Sequence, residues 1–242
     1  MKIALISDIH GNLEALEAVF ADIDGQGVDD VCCLGDVVGY GSDPAACLTL
    51  VIERCTVTLM GNHEYAVLGL VDAEEMNDAA QRSLAWTAEN LSDKERSLIT
   101  DLPLTHEIED ALLVHASPHD PVDWHYVLTR SEAARAFEDL QQRLCFFGHT
   151  HVPMIFSQSD DGSIRSRMGH DFDPDEDARY LVNVGSVGQP RDDDPRAGYV
   201  IYDSTELAIS YHRVEYDIQK TQAKMSEHKL PKMLIERLEF GR

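Results

Sequence analysis

Five short segments, Asp8-Ile9-His10, Gly35-Asp36, Gly61-Asn62-His63-Glu64, Val114-His115 and Gly148-His149-Thr150-His151, each lie at the end of an apolar run that reads as a β-strand. Each places a carboxylate, an imidazole or an amide oxygen where such a strand would end. In open α/β sheets ligands bind outside the carboxyl ends of the strands. A fold that lays these strands side by side therefore gathers two carboxylates, several imidazoles and an amide in one pocket. That donor set suits two divalent metals, whose best-served chemistry is attack of a metal-bound hydroxide on a phosphoester. Any one segment is weak evidence, because Asp-x-His and His-x-His arise often by chance. All five at successive strand ends point to metal.

The rest of the pattern sets the fold class. Lys2 to Ser7 reads as a buried strand, and Leu13 to Asp24 places Leu13, Leu16, Phe20 and Ile23 on one helical face. Asp30 to Leu34 is a second strand. Asp43-Pro44 supplies an N-cap and first-turn proline for a helix through Ile52, and Thr56 to Met60 is a third strand. This β-α-β-α-β opening implies parallel strands with right-handed crossovers. Residues 63–101 read as helical, with a capping box at Ser92 and Glu95 before the last helix. Leu104 to Ile108 and Ala111 to Val114 form a predicted hairpin, and a helix from Ser131 to Gln142 precedes the strand Leu144 to Phe147. Beyond it Val152–Gln158, Ser163–Arg167, Tyr180–Val184, Gly198–Tyr202 and Leu207–Val214 read as a largely antiparallel second half. A polar helical C-terminus is broken at Pro231.

Composition narrows the function classes. At 242 residues, with 43% hydrophobic and 26% charged residues, the chain suits one sizeable α/β domain. No apolar stretch approaches the roughly 18 residues of a membrane span, and Ile3 to Ile6 is too short for a signal peptide because Asp8 follows at once. Five cysteines, mostly in apolar segments, read as reduced buried thiols and place the chain in the cytoplasm. A formal charge of −24 opposes long nucleic acids, which need basic side chains against phosphates. It leaves room for a small anionic substrate, since bound metals reverse the sign of a pocket.

In order, Asp8-x-His10, Gly35-Asp36, Gly61-Asn62-His63-Glu64, His115 and Gly148-His149-x-His151 resemble the signature of the calcineurin-like metallophosphoesterases. Asn183-Val184-Gly185-Ser186-Val187-Gly188-Gln189-Pro190-Arg191 resembles a later segment of their small bacterial and archaeal branch. The resemblance implies two packed mixed β-sheets flanked by helices, a four-layer α-β-β-α fold, as a single domain over residues 1–242. It further implies that Asp8, His10, Asp36 and His151 hold one metal and that Asp36, Asn62, His115 and His149 hold the other, with Asp36 bridging. A bridging carboxylate keeps two cations roughly 3.5–4 Å apart, where they share and acidify a water. No thiolate belongs to the set, which favours Mn or Fe, with Ni, Zn or Mg as alternatives. By the same resemblance His63 protonates or stabilises the leaving oxygen. A capping or buried structural histidine is the other reading of that residue.

The protein Ser/Thr phosphatases and diadenosine polyphosphate hydrolases of the superfamily usually carry an Arg-Gly beyond Gly-Asp and an Arg before Gly-Asn-His. Gly39-Tyr40-Gly41 and Met60 stand there instead. Without those bidentate grips a phosphodiester or a bulkier, nucleotide-like phosphoester is the better substrate, ahead of a phosphomonoester dianion. Phosphomonoesterase, protein phosphatase and diadenosine polyphosphate hydrolase are the alternatives within enzymes, and a non-catalytic scaffold of the same fold lies outside them. Arg191 is expected in a structural ion pair with neighbouring acids, and the acidic run Asp171-x-Asp173-x-Asp175-x-Asp177 in a solvated loop. His119, His125 and His170 read as surface histidines that line the pocket mouth only in a second reading, and Trp86 and Trp124 read as packing residues. Oligomeric state is left open.

Overall fold

The computed structural model describes residues 1–70 and 77–242. Its first sheet runs in the order β11-β10-β1-β2-β3, built from β1 (Lys2–Ile6), β2 (Asp30–Cys33), β3 (Val57–Thr58), β10 (Ala197–Asp203) and β11 (Ala208–Val214). Strands β1, β2 and β3 are parallel, and β10 and β11 close the sheet antiparallel. The second sheet runs β4-β5-β6-β9-β7-β8, from β4 (Thr105–Ile108), β5 (Ala111–Val114), β6 (Leu144–Phe147), β7 (Met154–Ser159), β8 (Ile164–Met168) and β9 (Ala178–Asn183). Here β5, β6 and β9 are parallel and the remaining pairs antiparallel.

The two sheets pack face to face through Ile3, Leu5, Cys32, Leu113, Phe146, Val182 and Tyr202. The opposite face of the first sheet is covered by helices α1 (Leu13–Ile23) and α2 (Pro44–Arg54), which bury Leu16, Phe20, Leu48 and Val51 against Ala4, Ile6 and Tyr199. Helix α6 (Arg130–Asp139) covers the second sheet, setting Ala133, Ala136 and Phe137 against Phe147 and Phe156. The result is the two-mixed-sheet α/β architecture expected from the resemblance. Because β1 alternates Ile3 and Leu5 inward with Ala4 and Ile6 outward, both faces are buried, so the strand reads as a continuous apolar run.

Several local expectations shift. Among the described residues of 63–101 the structure has three separate helices, α3 (Asn62–Val67), α4 (Asp78–Glu89) and α5 (Asp93–Thr100), and the helical reading of 71–76 lies outside the described residues. The Ser92–Glu95 capping box is present. Asp43 stands at the N-cap of α2 yet makes no side-chain cap; its carboxylate instead takes the Lys224 ammonium at 2.5 Å. The third strand shortens to Val57–Thr58 because Met60 turns its N–H to Pro103. At the C-terminus α7 (Ile218–Glu227) and α8 (Lys232–Glu236) pack Met225, Leu230, Leu234 and Leu238 around Ala79 and Tyr40. Among the described residues no helix is long and apolar enough to cross a membrane.

Candidate metal centre

The three parallel strands of each sheet end on one side of the molecule, and the expected site residues sit there. Asp8 and His10 follow β1, Asp36 follows β2, Asn62 and His63 open α3, His115 follows β5, and His149 and His151 follow β6. All eight side chains are buried. The loops are tied to one another by main-chain bonds: Asp8 N–H to Gly35 C=O, His10 N–H to Asp36 C=O and Gly148 N–H to His115 C=O, all between 2.8 and 3.0 Å.

The backbone at this edge is unusual. Asp8, His10, Asp36, Tyr40, His149 and His151 all have φ between 50° and 63°, the left-handed region that side chains bearing a Cβ rarely enter. Each such residue costs about 1–3 kcal/mol and persists where its surroundings over-determine it. Here the surroundings include Glu64, whose carboxylate accepts the N–H groups of Asp36, Val38 and Gly61 at 2.8, 3.0 and 2.9 Å. Asn183 Nδ2 donates to Gly148 O at 2.6 Å, and Ser186 Oγ to Asp8 O at 2.8 Å. Gly61 and Gly148 are glycines by necessity, since a Cβ there would overlap the carboxylates of Asp36 and Asp8.

The proton inventory shows what the pocket is built to hold. The Nδ1 atoms of His10, His115 and His151 face the carbonyls of Val38, Leu34 and Gln189 at 3.2, 2.9 and 2.6 Å. A carbonyl only accepts, so each ring carries its proton on Nδ1 and turns the Nε2 lone pair inward. His10 Nε2 and His151 Nε2 then face each other at 3.1 Å. His151 Nε2 lies 3.3 Å from Asp8 Oδ1, and His115 Nε2 lies 3.3 Å from both Asp36 Oδ2 and Asn62 Oδ1. His149 Nε2 is buried with no partner. Acceptors converging on acceptors repel unless a cation or a proton lies between them.

Two groups of donor atoms compact enough for a cation result: Asp8, His10 and His151, and Asp36, His115 and His149. Asp36 also groups with His10 and His63, so its carboxylate faces both sides. The electrostatics agree. Burial, with the neighbouring His115 charge, pushes His149 down to about 3. Burial likewise holds His10 and His151 well below the usual imidazole range, which favours their neutral forms. Burial opposes charge on His115 too, but Asp36 overcomes it and raises that imidazole to about 9. Burial raises Asp8 to about 7. These donor atoms form groups that could each hold a cation, and Asp36 favours a proton on His115.

His63 stands beside these groups. Its main-chain N–H donates to Asp36 Oδ1 at 2.8 Å, and its ring makes edge contacts with His10 and Tyr40, the centroids 4.6 and 4.4 Å apart. It caps no helix, since Gly61 holds that position. Gly39 is what admits it: a Cβ there would overlap His63 Nδ1.

Trp124 and Tyr126 line the approach, with rings 5.9 Å from His115 and 4.2 Å from His149. His119 and His125 stack on each other, line a cavity with Tyr126, and with Asp120 form a further, more exposed group of metal-sized spacing. His170 is exposed and bonds Met168 O. The acids between Asp171 and Asp177 form no metal-sized group among the described residues. The expected ion pair of Arg191 is not present among the described residues. Its neighbours Asp192, Asp193 and Asp194 are taken by Arg213, Arg242 and Arg196, and Arg191 turns to Gln189 Oε1 at 2.8 Å. Glu64, Asn183 and Ser186 lie within segments singled out from sequence but received no individual role there, and Tyr40 was read only as standing where an arginine would be.

The chain belongs to the calcineurin-like phosphoesterase superfamily: the model of that superfamily domain matches residues 1–206. A metallophosphoesterase from Sphaerobacter thermophilus, known from its crystal structure, is 38% identical and superposes with a TM-score of 0.88 over 100% of both chains. An uncharacterized protein of Methanocaldococcus jannaschii is 38% identical over 245 residues, 99% of this chain and 98% of its own. A hypothetical protein from Pyrococcus horikoshii, 19% identical, shares the fold with a TM-score of 0.80 over 100% of this chain and 98% of its own.

Proposed function

We propose that this protein is a dinuclear metal-dependent phosphoesterase acting on a phosphodiester or a small nucleotide-like phosphoester. The observation that carries this reading is the convergence of inward-facing acceptors, with His10 Nε2 and His151 Nε2 3.1 Å apart and Asp36 grouped both with His115 and His149 and with His10 and His63. In this reading Asp8, His10, Asp36 and His151 hold one ion, and Asp36, Asn62, His115 and His149 hold the other. When bound, the ions supply polarised phosphoryl oxygens and a water acidified at neutral pH. The protein's own groups do the rest. Main-chain carbonyls fix the imidazole tautomers, Glu64 holds the Asp36 loop, and His63 offers its imidazole to the leaving oxygen. Trp124 and Tyr126 give the organic part of an ester an aromatic wall.

The lean to a diester rests on Tyr40 and Met60, which put an aromatic ring and a buried thioether where arginines would grip a dianion. A cytoplasmic setting is part of the reading and is supported by five unpaired cysteines, four of them buried. The test is elemental analysis of the purified protein, joined to a panel of monoesters, diesters, cyclic nucleotides, dinucleoside polyphosphates and a phosphopeptide with Mn, Fe, Ni, Mg and Zn. Two bound metals and preferred turnover of a diester are expected. Preference for the phosphopeptide would overturn the substrate reading, and a folded protein that takes up no metal would overturn the whole.

A further inference from the structure

Arg191 and Arg237 converge on a single neutral atom. Arg191 Nη2 reaches Gln189 Oε1 at 2.8 Å, and Arg237 Nη1 reaches the same oxygen at 3.0 Å. Arg237 Nε also donates to the main-chain oxygen of Arg242, and among the described residues neither guanidinium has an Asp or Glu side chain within ion-pair distance. That is costly in any protein, because two like charges share one uncharged acceptor. Arg54, Arg143, Arg196, Arg213 and Arg242 all find acids, and the three that directly follow Arg191 are spent on other arginines. Burial, reinforced by the Arg191 charge, draws Arg237 down to about 10. Two half-buried cations held side by side on one neutral oxygen, with no Asp or Glu side chain paired to either, suit an added anion.

Their position ties that place to the metal centre. Gln189, itself buried, accepts the His151 Nδ1 proton with its backbone carbonyl while its side chain holds both guanidinium groups. The Arg191 guanidinium lies over the Tyr40 ring, 5.9 Å from its centroid, and that ring lies 4.4 Å from His10. One aromatic ring thus separates the arginine pair from the metal-facing imidazoles. Arg237 is brought there by the C-terminal helices, which pack Leu234 and Leu238 in the same cluster as Tyr40.

We propose that Arg191 and Arg237, with Tyr40 as the intervening wall, form a subsite for a second oxyanion of the substrate, a phosphate or a carboxylate distinct from the phosphoryl group at the metals. The proposal rests on the phosphoesterase reading and narrows it: the substrate is a phosphoester carrying a separate anionic group. Forked guanidinium groups suit such an oxyanion, which each can grip through two N–H donors.

The test measures equilibrium binding to the metal-loaded protein by titration calorimetry, with non-hydrolysable probes. The probes are an alkyl monophosphonate, alkane bisphosphonates of graded length, and phosphonocarboxylates of the same lengths. The readout is the monophosphonate Kd divided by that of the best two-anion probe. In wild-type protein this ratio is expected to be about tenfold or more, the worth of one charge-assisted hydrogen bond. Arg191→Gln and Arg237→Gln should bring it to about one, whereas Arg191→Lys, which keeps charge without the fork, should keep part of it. An advantage confined to bisphosphonates assigns a phosphate, and one shared with phosphonocarboxylates assigns any oxyanion. Monophosphonate binding with a wild-type ratio near one, or a ratio unmoved in both glutamine variants, overturns the subsite alone. Failure of every probe to bind metal-loaded protein overturns the phosphoesterase reading, and the subsite falls with it.

Discussion

Glu64 Oε2 accepts the backbone N–H of Asp36 at 2.8 Å, so one buried carboxylate holds the turn that aims another. The same side chain takes the N–H groups of Val38 and Gly61. Glu64→Ala leaves three buried donors without partners, and each orphaned group costs about 1–3 kcal/mol. The variant is expected to lose at least about 3 kcal/mol in urea unfolding, and Glu64→Gln less, because one acceptor oxygen remains. A Glu64→Ala protein as stable as wild type would show that the loop is held by other contacts.

Asp36 groups with His115 and His149 on one side and with His10 and His63 on the other, so under the proposed reading its removal should act on both ions. Asp36→Ala is expected to bind neither metal at stoichiometric loading, whereas His151→Ala should keep the ion of the His115–His149 side. Elemental analysis after gel filtration decides the matter. An Asp36→Ala protein still holding two ions would refute the sharing.

How much of this was legible in the sequence follows the range of the forces involved. The strands were readable because β1, β2 and β6 are buried on both faces, which leaves unbroken apolar runs. The donor residues were readable because each stands just past such a run. Boundaries held by one tertiary bond were not, as with the third strand, which ends where Met60 N–H finds Pro103 O. The left-handed backbone at Asp8, His10, Asp36, Tyr40, His149 and His151 has no sequence signal either, since these residues replace the glycines that usually announce it. Arg191 was misjudged because local sequence surrounds it with acids, and only the fold shows those acids taken by arginines far along the chain.

The main-chain N–H of His63 donates to Asp36 Oδ1, while its imidazole lies outside the two proposed ligand sets. His63→Ala is therefore expected to keep both metals while turnover of a diester falls about 10²–10⁴-fold, the usual worth of a general acid or base. Gly39→Ala offers a second route to the same result. Its Cβ would displace the imidazole, and the position has a φ of 88°, so a milder loss of rate with intact metal content is expected. Wild-type rates from metal-loaded His63→Ala would remove this residue from the chemistry.

Glu14 joins the first helix to the last long one and makes that joint sensitive to acid. Its Oε1 lies 2.9 Å from Lys224 Nζ and 3.1 Å from Lys220 Nζ, and Thr221 Oγ1 donates to Oε2 at 3.2 Å. Burial alone would raise the Glu14 carboxyl, but the two lysine hydrogen bonds outweigh it and hold the group below its ordinary 4.5. A depressed carboxyl means the unfolded chain binds the proton more readily than the folded one. The contribution is therefore fully present above 4.5 and is lost as pH falls through the lower folded value. Replacement by an uncharged isostere removes that dependence. Wild-type protein should exceed Glu14→Gln in thermal stability at neutral pH, and the gap should close as the solution is acidified below 4.5. Added salt should narrow the neutral-pH gap, because both lysines reach solvent and their attraction is screened. A gap that stays constant on acidification would mean that Glu14 acts through packing and its hydroxyl contact, not through its charge.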